Sequence, residues 1–414
     1  MTKTSASLSA PAVWLVLLAA GGTFALTMGA RQSMGLFLGD LNSSTGLGLA
    51  QISLAFAFGQ LWWGLTQPFA GLVADRYGPG RVLILGVLLV CAGTALIPLM
   101  HSSTGLILAI GVLAAGGAGM AGPSVLMAAT TRLVPAERRG MATGIVNAGG
   151  SFGQFVFAPI AQGMTAAAGW VSALQLLAVL PLMALPAAWV LRKRPTAAGA
   201  PAAAPVESTG QVLRRALRDR SFLLLSGGFM VCGFHVAFLA THLPGVVVSC
   251  GLPAAVGAWS LAVIGLFNIV GSFGIGWAIG FQGGRWRMKS LLSLIYLLRG
   301  VAVLVFVLSP KSSAGMLVFA AVMGVSFLST VPPTAGLVAR FFGPAHMGTL
   351  FGMVMLAHQI GGFLGAYLGG KTFEATGNYT WMFYADAVLA FGAALMHLPI
   401  RESSRVVVPA AQPA

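Results

Sequence analysis

A few side chains in this sequence could bind or protonate a ligand, and they stand within long apolar runs. Arg31 lies in the segment Gly29-Ala-Arg31-Gln-Ser-Met-Gly35, where a guanidinium can hold a carboxylate through two parallel hydrogen bonds. His235 and His242 are seven residues apart, so on a helix both lie on one face. Imidazoles so placed either bond a polar ligand or carry a proton. The structural alternatives are an arginine that stretches towards water and histidines that join neighbouring helices.

Further polar residues have similar surroundings. His358 and Gln359 stand side by side before a pair of glycines, and Asn268 lies in another apolar run. Such residues either line a polar pocket or form hydrogen bonds between helices, which are worth only about 0.6 kcal/mol on average in a membrane. Two interpretations are open for Arg299: it reaches inwards between helices, or it pairs with Asp386. A structural role is favoured for this residue.

The composition indicates what surrounds these residues. Charged side chains make up 7% of the 414 residues and hydrophobic ones 57%, a balance foreign to water-soluble domains of this length. A bilayer requires roughly 20 apolar helical residues per crossing, and the 56 glycines suit helices that pack closely in lipid. The sequence therefore predicts an all-α polytopic membrane protein with twelve transmembrane helices, near residues 12–38, 50–74, 82–100, 104–131, 141–166, 170–191, 221–248, 256–281, 289–309, 313–339, 347–370 and 380–400.

The basic residues orient these spans. All but four of the 23 Lys and Arg fall on the side of the N-terminus; Lys311 and Lys371 fall on the other side, and Arg31 and Arg299 inside spans. By the positive-inside rule, both termini are predicted to be cytoplasmic in a multi-pass protein of the cell inner membrane. The net charge of +15 then indicates topology and not a nucleic-acid partner. The first apolar run is too long for a signal peptide and is expected to be retained.

Acids and thiols are scarce. Asp40, Glu374 and Asp386 are predicted near the periplasmic ends of their spans, so no carboxylate is expected in mid-membrane. A cavity with Arg and His but no acid would attract anions, and cation export by a central carboxylate is disfavoured.

The sequence has three cysteines, and all lie in or beside apolar runs. Because their number is odd and their surroundings are apolar, they are interpreted as packing residues and not as disulfide partners: Cys91, Cys232 and Cys250.

An internal repeat divides the chain. The run from Arg132 through Gly140 to Gly144 has a counterpart 208 residues later, from Arg340 through Gly348 to Gly352. Two six-helix bundles follow from this repeat. The predicted divisions are a cytoplasmic N-terminal tail, a first bundle, a cytoplasmic linker, a second bundle and a cytoplasmic C-terminal tail, at residues 1–11, 12–191, 192–220, 221–400 and 401–414.

One motif resembles a known family. The loop Gly71-Leu-Val-Ala-Asp-Arg-Tyr-Gly-Pro-Gly-Arg81 is similar to the loop between helices 2 and 3 of the major facilitator superfamily. The resemblance implies that this loop acts as a conformational latch between the two halves, through Gly71, Asp75, Arg76, Gly78 and Arg81. The second-half copy lacks the acid, so the latch is expected to be asymmetric.

The fifth span resembles the glycine-rich fifth helix of the same family. Glycines four apart keep one helix face smooth, so that another helix can rock against it. Static close packing is the alternative for each of them. The residues concerned are Gly144, Gly149, Gly150 and Gly153.

The resemblance also implies where a substrate binds, because spans 1 and 7 line the central cavity in this family. The predicted substrate-binding residues are Arg31, His235, His242, His358, Gln359 and Asn268. The fourth span has no embedded Arg, unlike many proton-driven members. The chain also loosely resembles the bacterial monocarboxylate and oxalate/formate porter branch, whose members usually keep a basic residue where span 8 has Asn268.

The expected function is secondary active transport, by alternating access, of a small organic anion such as a monocarboxylate, as symport or antiport and with protons as the favoured coupling ion. The alternative is an efflux transporter for drugs or neutral solutes, in which Trp62, Trp63 and Phe58 would determine the range of substrates. An intramembrane enzyme or a solute sensor is a remote alternative. No nucleotide-binding loop or metal-spaced cluster occurs, so no cofactor or metal is expected. The expected partners are the small-molecule substrate and the lipid bilayer, and the protein is expected to be a monomer.

Overall fold

The computed structural model describes residues 10–135, 138–192, 208–280, 286–343 and 347–402. Within these ranges the chain forms twelve long helical segments, α1 to α12 in chain order, and the predicted all-α fold is confirmed. Most of the predicted linker and both tails lie outside the described residues; of the linker, Thr209–Ala216 forms a short surface helix.

The first six helices are as follows. α1 is Ala10–Gln32, extended by Leu38–Thr45; α2 is Leu49–Tyr77; α3 is Pro79–Leu96; α4 runs from Ser103–Leu106 through Ile107–Ala114 and Ala115–Met120 to Pro123–Leu133; α5 and the start of α6 share Arg139–Val179, and α6 ends with Leu185–Val190. Gly169 separates α5 from α6 because its φ of 83° belongs to the left-handed region that favours glycine.

The last six helices are α7, Arg220–Ser249; α8, Ala254–Gly280; α9, Met288–Leu308; α10, Ser313–Ser326 and Val331–Phe342; α11, Met347–Thr376; and α12, Thr380–His397. Among the described residues, nine helical stretches are long and apolar enough to cross a membrane, and one of them covers both α5 and α6. α2 and α12 are not among the nine; they carry polar residues, namely Gln60, Gln67, Asp386 and His397.

An even number of helices brings the start of α1 and the end of α12 to one face, which we call the terminal face. The α2–α3 turn also lies there, and the other side is called the opposite face. Large apolar side chains on the perimeter remain exposed, such as Leu18, Trp189 and Val388. Because such surface is stable only against lipid, these residues mark the membrane-facing wall.

The repeat found in the sequence has a structural counterpart in α4 and α10. The side chain of Ser102 caps the first turn of α4, and that of Ser312 caps α10 in the same way. Each helix then breaks near its middle, at 121–122 in α4 and at 327–330 in α10, and restarts beside a proline. The two halves therefore share a local irregularity as well as a helix order.

The two halves pack most closely near the opposite face. There Gly35 of α1 lies against the backbone of Ala240 and Thr241 in α7, where a Cβ would overlap the carbonyl of Ala240. The carboxylate of Glu374 accepts a hydrogen bond of 3.0 Å from the backbone amide of Ala50, at the start of α2. Along α2, most buried residues lie in the part nearer this face, from Ile52 to Gly59. The contact between the two halves is therefore tightest near the opposite face and continues from there towards the middle of the protein.

Candidate functional site

Arg31 lies on α1 just before that helix tightens into a 3-10 turn, and its side chain points between the two halves. Its Nη2 donates a hydrogen bond of 2.7 Å to Oε1 of Gln60 on α2. The guanidinium also lies 5.1 Å from the ring of Trp63, a cation–π distance. Both partners are uncharged. Among the described residues no carboxylate forms an ion pair with Arg31, so its positive charge is available to a ligand.

A small cavity adjoins this guanidinium. It has a volume of about 30 Å³ and is lined by α1, α2, α4 and α7, with Arg31, Gln60, Ala115 and Thr241 among its residues. Because α7 belongs to the second half, the cavity lies between the two halves. Such a volume holds only a few water molecules.

Unpaired N–H groups surround the same level of the interface. The indole Nε1 of Trp63 and the amide Nε2 of Gln359 are buried without a hydrogen-bond partner. Gln359 on α11 packs against Gly64 on α2, where a Cβ would overlap its side chain. Buried polar groups are nearly always paired, so these two N–H groups are donors that a ligand or a water molecule can use. Gln359, a predicted substrate-binding residue, thus lies at the contact between the two halves, at about the same depth as Arg31.

His358 faces away from that cavity. Its ring lies 4.8 Å from the ring of Phe229, and neither ring nitrogen has a well-aligned hydrogen-bond partner. The imidazole also neighbours the thiol of Cys232 on α7. His358 therefore occupies the contact between α7 and α11 within the second half, one residue from the inter-half contact of Gln359.

The two histidines of α7 are placed differently from the sequence expectation. His235 contacts the backbone carbonyl of Asp386 on α12, at 3.1 Å from its Nε2. Nε2 of His242 lies 2.7 Å from the carbonyl of Ala366 on α11, and its ring packs beside Tyr379. Both are fully buried and neither lines the cavity. They share a face, as their spacing predicts, but that face joins α11 and α12 of their own half.

Asn268 on α8 links the halves without facing the cavity. Its Nδ2 donates to the hydroxyl of Ser151 on α5 over 2.7 Å, and its Oδ1 accepts from the amide of Leu328 over 2.9 Å. Leu328 stands in the break of α10. The side chain is thus occupied by hydrogen bonds across the α5–α8 contact, and the structure does not bring it to Arg31.

The expected position of Asp386 near the periplasmic end requires correction. Its carboxyl is completely buried and contacts His235, which lies midway along α7. A carboxylate therefore does lie deep in the second half. Arg299 is equally buried and bonds His235 instead of reaching the inter-half cavity. The position of a residue along its own helix did not give its depth in the membrane correctly. The tilt of each helix and the place where it enters the membrane decide which residues of different helices lie at the same depth.

The predicted latch residues lie where α2 turns into α3. Gly78 forms the turn itself with a φ of 93°, which requires glycine. Asp75 forms an ion pair with Arg132 at the end of α4, in the same half, and both side chains are in contact with solvent. A Cβ on Gly71 would meet only the hydroxyl of Ser124, at an ordinary 3.6 Å. The guanidinium of Arg76 lies 5.3 Å from the ring of Tyr77, and Arg81, at the start of α3, is exposed. The latch role remains a prediction.

The glycines of α5 mainly allow close packing inside the first half. A Cβ on Gly149 or Gly153 would overlap the backbone of α1 at Gly21 or Ala25, and one on Gly150 would come within 2.6 Å of the Phe24 ring. Gly144 instead faces Phe273 of α8, across the halves, at 3.9 Å. The smooth face predicted for α5 thus mostly contacts α1.

Two residues were underrated from the sequence. Gln60 is not among the substrate-binding residues predicted from the sequence, yet it is the direct partner of Arg31. Cys232 was interpreted as a packing residue, yet it accepts a hydrogen bond from buried Arg299. The spacing of Cys232 and His235, one helical turn apart, was the available signal. No group of three or more potential metal ligands occurs among the residues that the structure describes.

Comparisons with known proteins agree with this architecture. The sequence profile of the Major Facilitator Superfamily matches residues 19–295 and 278–413. The chain is 27% identical over 390 residues to monocarboxylate transporter 13 of Rattus norvegicus, covering 92% of this chain and 88% of the relative. It is 25% identical to the oxalate:formate antiporter of Oxalobacter formigenes, covering 91% of this chain and 89% of that protein.

A solved structure shares the fold. The chain superposes with a TM-score of 0.77 on a bacterial homologue of the human lysosomal transporter Spinster, in an inward-facing and unoccupied conformation, at 16% identity and with 94% of this chain and 97% of that one covered. Such low identity bears on the fold alone. With the repeat, the helix order and the profile match together, the chain belongs to the Major Facilitator Superfamily and is a multi-pass membrane protein that transports solutes, not an enzyme.

Proposed function

We propose that this transporter moves a small organic anion, such as a monocarboxylate, by alternating access, with Arg31 as the residue that binds the anion. The observation that carries the proposal is the guanidinium at the inter-half cavity, which bonds neutral Gln60 and forms no ion pair with a carboxylate among the described residues. A cation in low-dielectric surroundings without a counter-ion attracts an anion strongly. The names of the monocarboxylate and oxalate:formate relatives support the same substrate class.

Neighbouring groups favour a carboxylate over a larger anion. A guanidinium offers two parallel N–H groups that match the two oxygens of a carboxylate. The indole N–H of Trp63 is a further unpaired donor nearby, and Thr241 adds a hydroxyl to the cavity wall. The small volume of about 30 Å³ in this conformation suits a compact ligand once side chains adjust.

The test is counterflow of a labelled monocarboxylate, such as lactate or formate, in proteoliposomes. Arg31→Gln is expected to raise the half-saturating concentration about tenfold to a hundredfold, because a hydrogen bond to a charged group is worth about 1.5–3 kcal/mol. Arg31→Lys keeps the charge but loses the paired geometry, and partial activity is expected. Arg218→Gln, which removes an exposed guanidinium of the terminal face, is the matched control and should behave as wild type.

An exporter of drugs or neutral solutes would give the opposite pattern. The wild-type protein would then show counterflow of amphipathic drugs but none of carboxylates, and Arg31→Gln would leave it unchanged. That result would refute the proposal while keeping the family assignment.

We also propose that the terminal face is cytoplasmic and that the membrane is the cell inner membrane. The distribution of Lys and Arg supports this orientation, since Lys311 and Lys371 are the basic residues of the opposite face among those described. A reporter that fluoresces only in the cytoplasm, fused to the C-terminus, should be bright. A periplasmic phosphatase fused at the same place should be inactive, and the reverse pattern would overturn the orientation.

A further inference from the structure

A second cluster of ionisable groups lies inside the second half, apart from the cavity. It joins α7, α9 and α12 through Cys232, His235, Arg299 and Asp386. All four side chains are buried, with Arg299 and Asp386 at 0% exposure, and none of them lines the inter-half cavity. Ionisable residues inside a membrane protein are costly and commonly serve function, so this cluster requires an explanation.

Arg299 determines the protonation pattern of its neighbours. Its Nη2 donates to the carbonyls of Ser326 and, at 2.6 Å, of Phe327 in the break of α10. Its Nη1 lies 3.4 Å from Nδ1 of His235. A guanidinium has only donors, so Nδ1 must accept and the imidazole carries its proton on Nε2. The network therefore assigns a neutral His235 with a defined tautomer.

That tautomer directs an N–H towards Asp386. Nε2 of His235 lies 3.1 Å from the backbone carbonyl of Asp386 and 3.2 Å from its Oδ1. The carbonyl is the better aligned acceptor, and both carboxylate oxygens lack a well-formed hydrogen bond. This carboxyl therefore faces the imidazole N–H of His235 and lies close to the charge of Arg299, inside a fully buried cluster.

The other titratable groups packed around Asp386 are already engaged. On α9 the hydroxyl of Tyr296 donates to the carbonyl of Gly228 over 2.6 Å. On α12 itself, Nδ1 of His397 lies 2.6 Å from the carbonyl of Ala393. On α7 the thiol of Cys232 contacts Arg299, and on α11 His358 neighbours that thiol rather than the acid. The break of α10 presents backbone carbonyls and hydroxyls.

We propose that Asp386 is a proton-binding site of this transporter, with His235, held by Arg299, as its positioning residue. The carboxylate takes one proton from water at one face, becoming the neutral acid, and returns it to water at the other face. One organic anion moves with it, so the translocated pair is uncharged. This inference rests on the proposed function, since it requires an anion at Arg31.

Contacts connect this site with the substrate level. Cys232 contacts Arg299 on one side and neighbours His358 of α11 on the other. The next residue, Gln359, packs against Gly64 of α2 in the first half. Protonation of Asp386 removes the charge facing His235 of α7, and α7 also forms the inter-half contact at Ala240 and lines the cavity at Thr241. The proton and the anion thus both act on α7.

The experiment compares two assays on Asp386→Asn in proteoliposomes. The first is counterflow of labelled lactate, which needs no net proton movement. The second is accumulation of lactate driven by a pH gradient, followed together with internal pH by a trapped dye. The variant is expected to keep counterflow and to lose both accumulation and the pH signal. Asp40→Asn, which neutralises a half-buried carboxyl near the opposite face, is the matched control and should keep all three.

The outcomes separate the two proposals. Wild-type protein without carboxylate counterflow overturns the proposed function. Wild-type counterflow with an Asp386→Asn variant that still accumulates lactate and moves protons overturns the proton site alone. If Asp386→Asn does not fold, Asp386→Glu decides: it keeps an acid whose oxygens are moved by one methylene, so the pH midpoint of accumulation should shift. An unchanged midpoint would then contradict the proposal.

His235→Gln tests the positioning role. Glutamine keeps an N–H donor. It lacks the rigid ring with which histidine accepts a hydrogen bond from Arg299 on one side and donates one to Asp386 on the other. The pH profile of accumulation is expected to move while counterflow continues. A profile identical to wild type, at normal thermal stability, would remove His235 from the proton site.

Discussion

At the scale of single residues, the two arginines that lie within the apolar helices, Arg31 and Arg299, differ in their partners. Arg31 bonds one neutral amide and faces a ring, which leaves donors for a ligand. Arg299 directs all three of its nitrogens at atoms of its own half, including two carbonyls in the break of α10. The same type of side chain therefore keeps donors for a ligand in one place and is fully engaged with its own half in the other.

We expect Arg299→Gln to lower the stability of the protein. Removing the guanidinium leaves buried carbonyls and the acid Asp386 without compensation, and breaking a buried charged network costs about 3–5 kcal/mol. Thermal unfolding in detergent should show a lower midpoint, and Arg299→Lys should not restore it because one ammonium cannot replace the planar fork. Arg218→Gln is the control. A midpoint equal to wild type would show that the network is not needed for stability.

At the scale of elements, α5 illustrates how glycine sets the distance between helices. Gly149 and Gly153 lie against the backbone of α1, so their missing side chains allow direct contact of the two helices. The breaks in α4 and α10 are a second feature of this scale. In α10 the freed backbone groups find partners in Arg299 and Asn268, as a helix break in a membrane requires.

We expect Gly153→Ala to be destabilising and Gly163→Ala, in the same helix, to be tolerated. A Cβ at 153 would overlap the carbonyl of Ala25, so α1 and α5 must separate, whereas position 163 has nothing within 4 Å. Overpacking of this kind costs about 1–3 kcal/mol. Thermal unfolding of the two variants in parallel measures the difference; equal midpoints would indicate that the α1–α5 contact adapts freely.

At the scale of the whole molecule, the two halves meet along a contact that is tightest near the opposite face. Gly35 against α7 and Glu374 against the start of α2 are its clearest members. Transporters of this architecture operate by rocking of two bundles around a site between them. Contacts confined to one face should then stabilise one of the two end states.

We expect Gly35→Ala to disfavour the conformation described here, because its Cβ would overlap the carbonyl of Ala240. The opposite face should open more often. A cysteine introduced in place of Thr241, in a background without Cys91 and Cys250, should then react faster with an impermeant maleimide added from that side. Gly39→Ala, with nothing within 4 Å, is the control. No change in the rate for Gly35→Ala would mean that this contact does not hold the face closed.

The sequence by itself determined the twelve helices and the two-fold repeat. These properties are local or periodic: a bilayer demands a minimum apolar length from each helix, and a repeat remains visible in glycines and arginines. It also identified Arg31 and Gln359 as polar residues in apolar surroundings. The tertiary structure decided which polar groups meet. His235 and His242 share a face in either case, but helix rotation and tilt turned that face towards α11 and α12, and brought Asp386 level with His235. Depth and facing depend on contacts between distant segments, which helical spacing within one segment does not encode.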